Sequence, residues 1–207
     1  MKNLTLIIPA KEESESLPTV LREIEKFEFN IIVILHSSDL ATIKSIRDFE
    51  CEIIYQKNKG YGDALIEGIN AVKTEYLCIY NADGSFDPKY LSEMLIKCQN
   101  NDYVFTSRYL KEGKSDDDTV VTKVGNYIFS LLGRILFSLK LSDILFTYIL
   151  GKTKSFQSLN LNSLDFCLCV EIPIKAQRMK ALYLDIPSHE RKRIAGFKKV
   201  NEFRDGF

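Results

Sequence analysis

The chain has no net charge, only two histidines, and no apolar run long enough to cross a membrane. Its 28 basic side chains balance 28 acidic ones, which argues against a general nucleic-acid binder. The two histidines, His36 and His189, stand in no motif typical of a Ser–His–Asp or Cys–His catalytic system. A membrane-spanning helix needs about 18 or more consecutive apolar residues, so none is predicted.

The five cysteines lack the spacing of a metal-ligand pair. Cys167 and Cys169 alternate within an apolar segment, which predicts a strand with both thiols on its core face. The apolar stretch before Pro9, about six residues long, is too short for a signal peptide. These features predict a reducing, cytoplasmic setting.

The composition is that of an ordinary globular protein. With 207 residues, 45% of them apolar and 27% charged, the chain predicts a single domain over 1–207. In its first half, apolar β-branched runs alternate with helical patterns. The predicted elements are strand Asn3–Pro9, helix Ser14–Phe27, strand Asn30–Leu35, helix Leu40–Phe49, strand Glu52–Tyr55, a glycine turn over 58–64 leading to a helix that ends near Val72, strand Tyr76–Asn81, helix Pro88–Cys98 and strand Tyr103–Ser107. This alternation predicts a mostly parallel sheet in a three-layer α/β sandwich.

The pattern changes after Arg108. A polar, acidic loop is predicted over Tyr109–Thr119, with Asp116-Asp117-Asp118 as an acidic patch. The remaining predicted elements are a long helix Val120–Leu139, an apolar stretch Leu141–Leu150, a loop near Asn160, strand Phe166–Ile172, helix Pro173–Lys180, strand Leu182–Ile186 and a basic tail.

One stretch carries the most chemical information, Tyr76–Pro88. A buried strand ends at Asn81-Ala82-Asp83, Ser85 follows, and Asp87-Pro88 is typical of a helix start. Carboxylate, amide and hydroxyl oxygens at the carboxyl end of a strand suit Mg²⁺ or Mn²⁺ bridging a diphosphate. The alternative is an acidic turn that only caps the next helix.

Several motifs occur in one order along the chain. They are Ile7-Ile-Pro-Ala-Lys-Glu-Glu13, Asn58-Lys-Gly60-Tyr-Gly62-Asp-Ala64, Asn81-Ala-Asp83, Thr106-Ser-Arg108-Tyr, Gly125-Asn126-Tyr127, Leu141-Ser-Asp143, Val170-Glu171 and Ile186-Pro187 followed by Arg193, Gly196 and Lys199. Together they resemble glycosyltransferase family 2, in the branch that moves sugars onto polyprenyl phosphates. The resemblance covers about residues 4–200.

The chain departs from the family pattern at four places. Leu35-His36 replaces paired aspartates after the second strand, Asn81 replaces the first aspartate of the metal motif, and Glu12 replaces an asparagine. Thr147-Tyr148-Ile149 replaces a Gly-aromatic-Arg segment, with loss of a cation. A member with degenerate motifs that binds sugar nucleotides without turnover therefore stays an alternative.

The resemblance implies a GT-A-like fold and an inverting, metal-dependent glycosyltransferase. Residues 1–110 would bind a UDP- or GDP-linked sugar, and residues 111–207 would face the acceptor or a membrane. The implied catalytic residues are Asp83, Arg108, Asp143 and Arg193, with Asp83 and Asn81 holding Mg²⁺ or Mn²⁺. The implied substrate-binding residues are Pro9, Glu13, His36, Asp39, Gly60, Gly62, Asn81, Ser85, Asn126, Glu171 and Lys199.

The lack of a catalytic histidine system favours a polyprenyl phosphate acceptor. A phosphate monoester is largely ionised near neutral pH, its second pKa being about 6, so it can attack without a protein base. A glycan hydroxyl, the alternative acceptor in surface polysaccharide synthesis, would need Asp143 or Glu171 as base. A sugar-nucleotide pyrophosphorylase is disfavoured because Pro9-Ala-Lys-Glu12 contains no glycine-rich loop.

The stretch 124–150 is apolar and aromatic but interrupted by Arg134, Lys140 and Asp143. This pattern favours helices lying on a bilayer over helices spanning it, and the basic run 191–199 would add attraction to anionic lipid. A core helix or a homodimer interface would have the same pattern. The prediction is a cytoplasmic protein, peripheral on the cytoplasmic face of the membrane.

Overall fold

The structure, a computed structural model, describes residues 3–195. The strands are β1 Leu4–Pro9, β2 Asn30–Leu35, β3 Glu52–Tyr55, β4 Tyr76–Ile79, β5 Tyr103–Ser107, β6 Lys114–Ser115, β7 Ile149–Lys152, β8 Tyr183–Pro187 and β9 His189–Glu190. The helices are α1 Leu17–Glu25, α2 Leu40–Ser45, α3 Tyr61–Ala71, α4 Leu91–Cys98, α5 Val120–Phe137, α6 Thr153–Ser158 and α7 Leu168–Arg178. A 3-10 turn, Pro88–Tyr90, precedes α4.

Seven strands form one sheet in the order β3-β2-β1-β4-β7-β5-β8, and β6 and β9 form a separate pair. All neighbours in the large sheet are parallel except β7, which runs antiparallel to β4 and β5. The predicted mostly parallel α/β sandwich is therefore confirmed. The chain winds from β1 toward β3 on one side and passes to β4 on the other, so the strand order changes direction between β1 and β4.

Two apolar cores cover the two faces of the sheet, because alternate residues of each buried strand point to opposite faces. On one face, alternate β1 residues pack with α1 and α4; this core includes Leu4, Leu6, Ile8, Leu17, Val20, Leu21, Ile24, Leu91 and Met94. On the other, β1 packs with α3 and α7; this core includes Ile7, Ala64, Leu65, Ile69, Leu168, Ile172 and Ala176.

Side-chain caps start two helical segments at the predicted residues. The Asp39 carboxylate accepts from Thr42 N at 3.3 Å, and the Asp87 carboxylate accepts from Lys89 N at 3.0 Å. Both bonds satisfy backbone donors that a helix start leaves open. Helix α2 ends at Ser45, four residues before the predicted end.

The strand predicted over 166–172 is wrong, because this segment lies in and before α7. Leu168, Ile172 and Ala176 recur every four residues and form one buried stripe, which is a helical period. Pro173 lies inside the helix rather than at its start. The thiols do not share a face, since Cys167 is exposed and Cys169 is buried.

Strand β7 was not predicted, since it lies at the end of a continuous apolar run without a turn signal before it. It separates β4 from β5 in the sheet. Just before it, Tyr148 stacks on Phe86 at 4.5 Å between ring centroids and meets Tyr80 edge to face at 5.6 Å. The Tyr148 hydroxyl donates to the Asp87 carbonyl at 2.9 Å. These contacts connect the 141–150 stretch to the segment that follows β4.

Truncating a side chain of β7 tests its place in the core. Leu150 is fully buried, whereas Leu182 is 64% exposed. Leu150→Ala should lower the free energy of unfolding by about 2–5 kcal/mol, through lost apolar contact and a residual cavity. Leu182→Ala, the matched control, should change it by less than about 0.5 kcal/mol. Urea unfolding measures both, and equal effects would contradict the position of β7.

Candidate active site

The carboxyl ends of the neighbouring parallel strands β1 and β4 lie side by side at the same end of the sheet. Ile7 lies opposite Ile79, and the same register brings Pro9 level with Asn81. Open α/β sheets bind ligands in the crevice at the carboxyl ends of their strands, where the strand order changes direction. The fold therefore presents the Asn81–Ser85 loop at the edge where a ligand site is expected.

The Asp83 carboxylate is organised by its own loop. Its Oδ1 accepts from the Ser85 backbone at 2.9 Å and from the Ser85 hydroxyl at 2.7 Å. Asn81 Nδ2 donates to the same hydroxyl oxygen at 3.4 Å, which uses the amide nitrogen and not the carbonyl oxygen. One carboxylate, one amide and one hydroxyl are thus collected within five residues.

Residues 191–195, here called the C-terminal strap, cross this loop. Ile194 N donates to the Asp83 carbonyl at 2.8 Å, and Arg191 N donates to the Ser85 carbonyl at 2.8 Å. The Arg191 guanidinium makes paired bonds to Glu23 at 2.6 and 2.8 Å and also donates to the Phe86 carbonyl at 2.6 Å. The strap is therefore fixed to both the Asp83 loop and α1.

Arg193 on the strap faces Asp83. Its Nη1 lies 3.8 Å from Asp83 Oδ2, and its Nη2 donates to Asp117 Oδ2 at 2.7 Å. Burial opposes the charge, but the Asp117 hydrogen bond and the Asp83 charge together raise the pKa of Arg193. A permanent cation thus stands beside the Asp83 carboxylate.

Arg108 lies in a separate buried cluster of charges, the Arg108 cluster, formed with Asp118, Asp143 and Glu190. Its Nε and Nη2 donate to the two Asp143 oxygens at 2.7 and 3.0 Å. Its Nη1 lies 3.3 Å from Glu190 and 3.5 Å from Asp118. Burial opposes the charge, but Asp143 and then Glu190 hold the pKa of Arg108 above its usual range.

The catalytic roles expected of Arg108 and Asp143 stay predictions, but the geometry gives both a structural task. All three guanidinium nitrogens of Arg108 face carboxylates, so no pair of N–H donors remains to bind a diphosphate. Asp143 is 1% exposed and binds Arg108 with both oxygens, which leaves it unsuited to taking a proton from an acceptor. Burial raises the pKa of Glu190, and Arg108 only partly offsets this.

Asn126 connects helix α5 to this cluster. Its Nδ2 donates to the Tyr109 hydroxyl at 2.7 Å, and that hydroxyl donates to Asp118 Oδ2 at 2.6 Å. The predicted substrate contact of Asn126 stays a prediction; in the structure its amide nitrogen orients Tyr109.

The glycine turn before α3 packs against another loop. A Cβ on Gly62 would lie 2.1 Å from the Ser163 carbonyl oxygen, and one on Gly60 would lie 2.0 Å from that of Leu164. Asp63 N donates to the Leu164 carbonyl at 3.1 Å. The resemblance implies that these glycines bind substrate, which stays a prediction; in the structure their lack of a side chain permits close packing of two loops.

Glu171 supports the same loop from α7. It accepts from Asn162 N at 3.0 Å and Ser163 N at 2.8 Å and pairs with Lys175 at 2.6 Å. Burial favours a higher pKa, but Lys175 and the loop amides outweigh it and lower the pKa of Glu171. A carboxylate with a lowered pKa is a poor base at neutral pH.

Three further predicted residues lie on the loops that follow β1 and β2. The Glu13 carboxylate accepts from Ser16, the His36 ring is bonded to Ser38, and Asp39 accepts from Glu12 N at 2.7 Å. Asp39 thereby ties the loop after β1 to the start of α2, and its carboxylate is committed to that link.

The structure therefore brings together Asp83, Asn81, Ser85 and Arg193, with Pro9 on the neighbouring strand. It places Arg108 and Asp143 in a second cluster and Gly60, Gly62 and Glu171 at a loop contact. Lys199 lies outside the described residues. The sequence did not single out Glu23, Asp117 or Arg191. Asp117 and Arg191 stand in runs of like charge, and Glu23 lies in a predicted helix, so nothing in the sequence distinguishes them from their neighbours.

Comparison with known proteins identifies the family. Residues 5–159 match the model described as Glycosyl transferase family 2. The chain belongs to glycosyl transferase family 2. It is therefore a glycosyltransferase, and the predicted membership is confirmed.

Two curated relatives are named for lipid-phosphate acceptors. The chain is 26% identical to an undecaprenyl-phosphate mannosyltransferase of Micrococcus luteus, over 97% of this chain and 88% of that one. It is 23% identical to a dolichol-phosphate mannosyltransferase of Pyrococcus furiosus, over 86% of this chain and 54% of that one. The chain thus spans about half of the second relative.

Solved structures support the GT-A-like fold. Glucosyl-3-phosphoglycerate synthase of Mycobacterium tuberculosis, in complex with Mn²⁺, UDP and glucosyl-3-phosphoglycerate, is similar with a TM-score of 0.74. The two chains are 12% identical, and the similarity covers 98% of this chain and 75% of that one. At this identity the likeness concerns the fold.

Removing the Arg108 side chain tests whether it is structural. Arg108→Met leaves buried carboxylates without their cation and should cost about 3–5 kcal/mol in urea unfolding. Arg47→Met, whose side chain is 69% exposed, serves as control and should cost less than about 0.5 kcal/mol. An Arg108→Met protein with wild-type stability and abolished sugar transfer would instead establish a direct catalytic role.

Proposed function

We propose that this chain transfers a sugar from a nucleoside-diphosphate donor to a polyprenyl phosphate, with inversion at the anomeric carbon. The observation that carries the proposal is the pairing of Asp83 with Arg193 at the strand-order reversal between β1 and β4. There a carboxylate for a divalent cation and a fixed guanidinium lie side by side. Departure of a diphosphate requires preorganised positive charge of this kind.

The oxygen donors near Asp83 fit a divalent cation. The Asp83 carboxylate and the Ser85 hydroxyl offer oxygen ligands within hydrogen-bonding distance of each other, while Asn81 contacts the same hydroxyl through its amide nitrogen. Mg²⁺ typically takes one or two protein carboxylates together with substrate phosphates. No group of three or more His, Cys, Asp or Glu side chains suited to a metal occurs within 3–195. In this proposal the nucleoside diphosphate supplies further oxygen ligands. When bound, Mg²⁺ or Mn²⁺ would neutralise charge on the departing diphosphate.

The hydrogen bonds of two carboxylates support a phosphate acceptor. Asp143 is bound to Arg108, and Glu171 is bound to Lys175 and two loop amides, so neither is suited to deprotonating a hydroxyl. An ionised phosphate oxygen needs no base. That oxygen forms a bond to the anomeric carbon while the carbon–oxygen bond to the diphosphate breaks, and the electron pair leaves with the nucleoside diphosphate. The names of the two curated relatives support the same acceptor class.

A transfer assay tests the proposal. The wild type should move radiolabelled sugar from UDP- or GDP-mannose to undecaprenyl phosphate in the presence of Mg²⁺ or Mn²⁺. Asp83→Asn should lower kcat/KM by at least about 100-fold, the loss typical of removing stabilisation of transition-state charge. Asp48→Asn, which removes the same charge from an 83% exposed side chain, should leave kcat/KM unchanged.

The same assay includes an oligosaccharide acceptor. Transfer to the oligosaccharide alone would contradict the acceptor proposed here, whereas activity that survives Asp83→Asn would contradict the site. Diphosphate binding without any turnover would support the catalytically silent alternative.

We propose in addition that α5 rests on the cytoplasmic face of the membrane. Its buried residues are only Asn126, Ser130 and Gly133, while apolar side chains are exposed around the rest of the helix: Val120, Val121, Val124, Tyr127, Ile128, Phe129, Leu131, Leu132, Ile135, Leu136 and Phe137. Its only charged residues are the basic Lys123 and Arg134, which suits an interfacial helix on anionic lipid. By length and composition alone α5, among the described helices, could also cross a membrane, which the sequence reading did not predict.

Vesicle flotation tests this contact. Ile128→Gln/Ile135→Gln changes two exposed residues of one helix face and should lower the partition coefficient on phosphatidylglycerol/phosphatidylcholine vesicles by at least about tenfold. Leu40→Gln/Ile96→Gln alters exposed apolar residues on α2 and α4 and should bind as the wild type does. The contact would be contradicted if the wild type did not bind vesicles. If the wild type then sedimented as a dimer and the α5 variant as a monomer, α5 would be an interface between copies of the chain.

A further inference from the structure

Arg193 is oriented by a carboxylate that lies 76 residues away in the sequence. Arg193 Nη2 donates to Asp117 Oδ2 at 2.7 Å, and Nε faces Oδ1 at 3.5 Å. The remaining terminal nitrogen, Nη1, lies on the side of Asp83 Oδ2. Because a guanidinium is planar with its donors in a rigid fork, binding through Nε and Nη2 also fixes the direction of Nη1.

Asp117 is itself held by a small piece of regular structure. The Ser115 hydroxyl oxygen accepts from Asp117 N at 3.2 Å and from Asp118 N at 3.0 Å. Ser115 belongs to β6, which pairs with β9 opposite Glu190, and Asp116 N donates to the Glu190 carbonyl at 2.9 Å. The backbone that carries Asp117 is therefore attached to the strand leading into the strap.

The backbone of Arg193 is fixed from the other direction. Its neighbour Ile194 donates to the Asp83 carbonyl, and Arg191 anchors the strap on Glu23. The side chain is thus constrained at its base by the strap and at its tip by Asp117. Both partners are largely shielded, with side chains 20% and 19% exposed, so water competes weakly for the pair.

We propose that Asp117 is a positioning residue for sugar transfer, which directs Arg193 Nη1 toward the place where the donor diphosphate lies beside Asp83. The inference rests on the proposed function. Asp117 touches no reacting atom in this account and acts only through Arg193. A cation held in place before the reaction stabilises developing charge without reorganising during the reaction.

A double-mutant cycle tests the coupling. Asp117→Asn should lower kcat about tenfold, because small misplacements of a catalytic group are costly, and should change KM for the nucleotide sugar less. Asp117→Glu, which keeps the carboxylate, should recover part of the loss. In an Arg193→Met background, Asp117→Asn should have no further effect. Asp48→Asn again controls for the change in net charge.

The cycle is measured on transfer to undecaprenyl phosphate and, independently of any acceptor, on the dissociation constant for UDP or GDP with Mn²⁺. Suppose that the wild type binds diphosphate and that Asp117→Asn lowers kcat equally in the wild-type and Arg193→Met backgrounds. This result would overturn the role of Asp117 and leave the proposed function standing. Diphosphate binding with a non-additive cycle but no transfer would overturn the acceptor and support the positioning. A wild type that neither binds nor transfers would overturn both.

Discussion

Attachment of the C-terminal strap to the loop after β4 is the contact on which the candidate site depends. The register of β1 against β4 places Asp83 at a sheet edge suited to ligand binding, but a carboxylate alone is only a cation site. Hydrogen bonds from Ile194 and Arg191 to the Asp83 loop bring an arginine from the far end of the described chain to the same place. A loop in the middle of the chain and the last described segment thereby supply opposite charges to one crevice.

Two arginines illustrate how surroundings decide function. Arg108 is enclosed by three carboxylates, and such an assembly holds loops together because removing one member leaves a buried charge unpaired. Arg193 instead is bound by Asp117 on one side and turned toward Asp83 on the other. Arg108 connects three segments: the end of β5, strand β9, and the apolar stretch that precedes β7. Arg193 is placed to meet an anion.

The strands of the first half and the Asp39 and Asp87 caps were predictable, because buried β-branched runs and capping residues are local signals. Asp83 was a candidate from the sequence for the same reason, since it follows the predicted strand that ends at Asn81. Strand β7 has no distinctive period, because it is a short strand at the end of an apolar run. The segment at the start of α7 favours a strand by sequence, because Cys167 and Cys169 alternate there, whereas the buried stripe of α7 repeats every four residues. The pairing of Arg193 with Asp117 and the packing of Gly62 against Ser163 were beyond prediction, since both depend on how distant segments meet.

The central claim is that Asp83 anchors a divalent cation together with a nucleoside diphosphate. Electron paramagnetic resonance of Mn²⁺ added with UDP, and separately with GDP, tests it most directly, because bound and free Mn²⁺ give different spectra. The account predicts that one of the diphosphates brings Mn²⁺ into a bound state in the wild type and that Asp83→Asn abolishes this state. Free Mn²⁺ in the wild type with both nucleotides, or a bound signal that persists in Asp83→Asn, would contradict it.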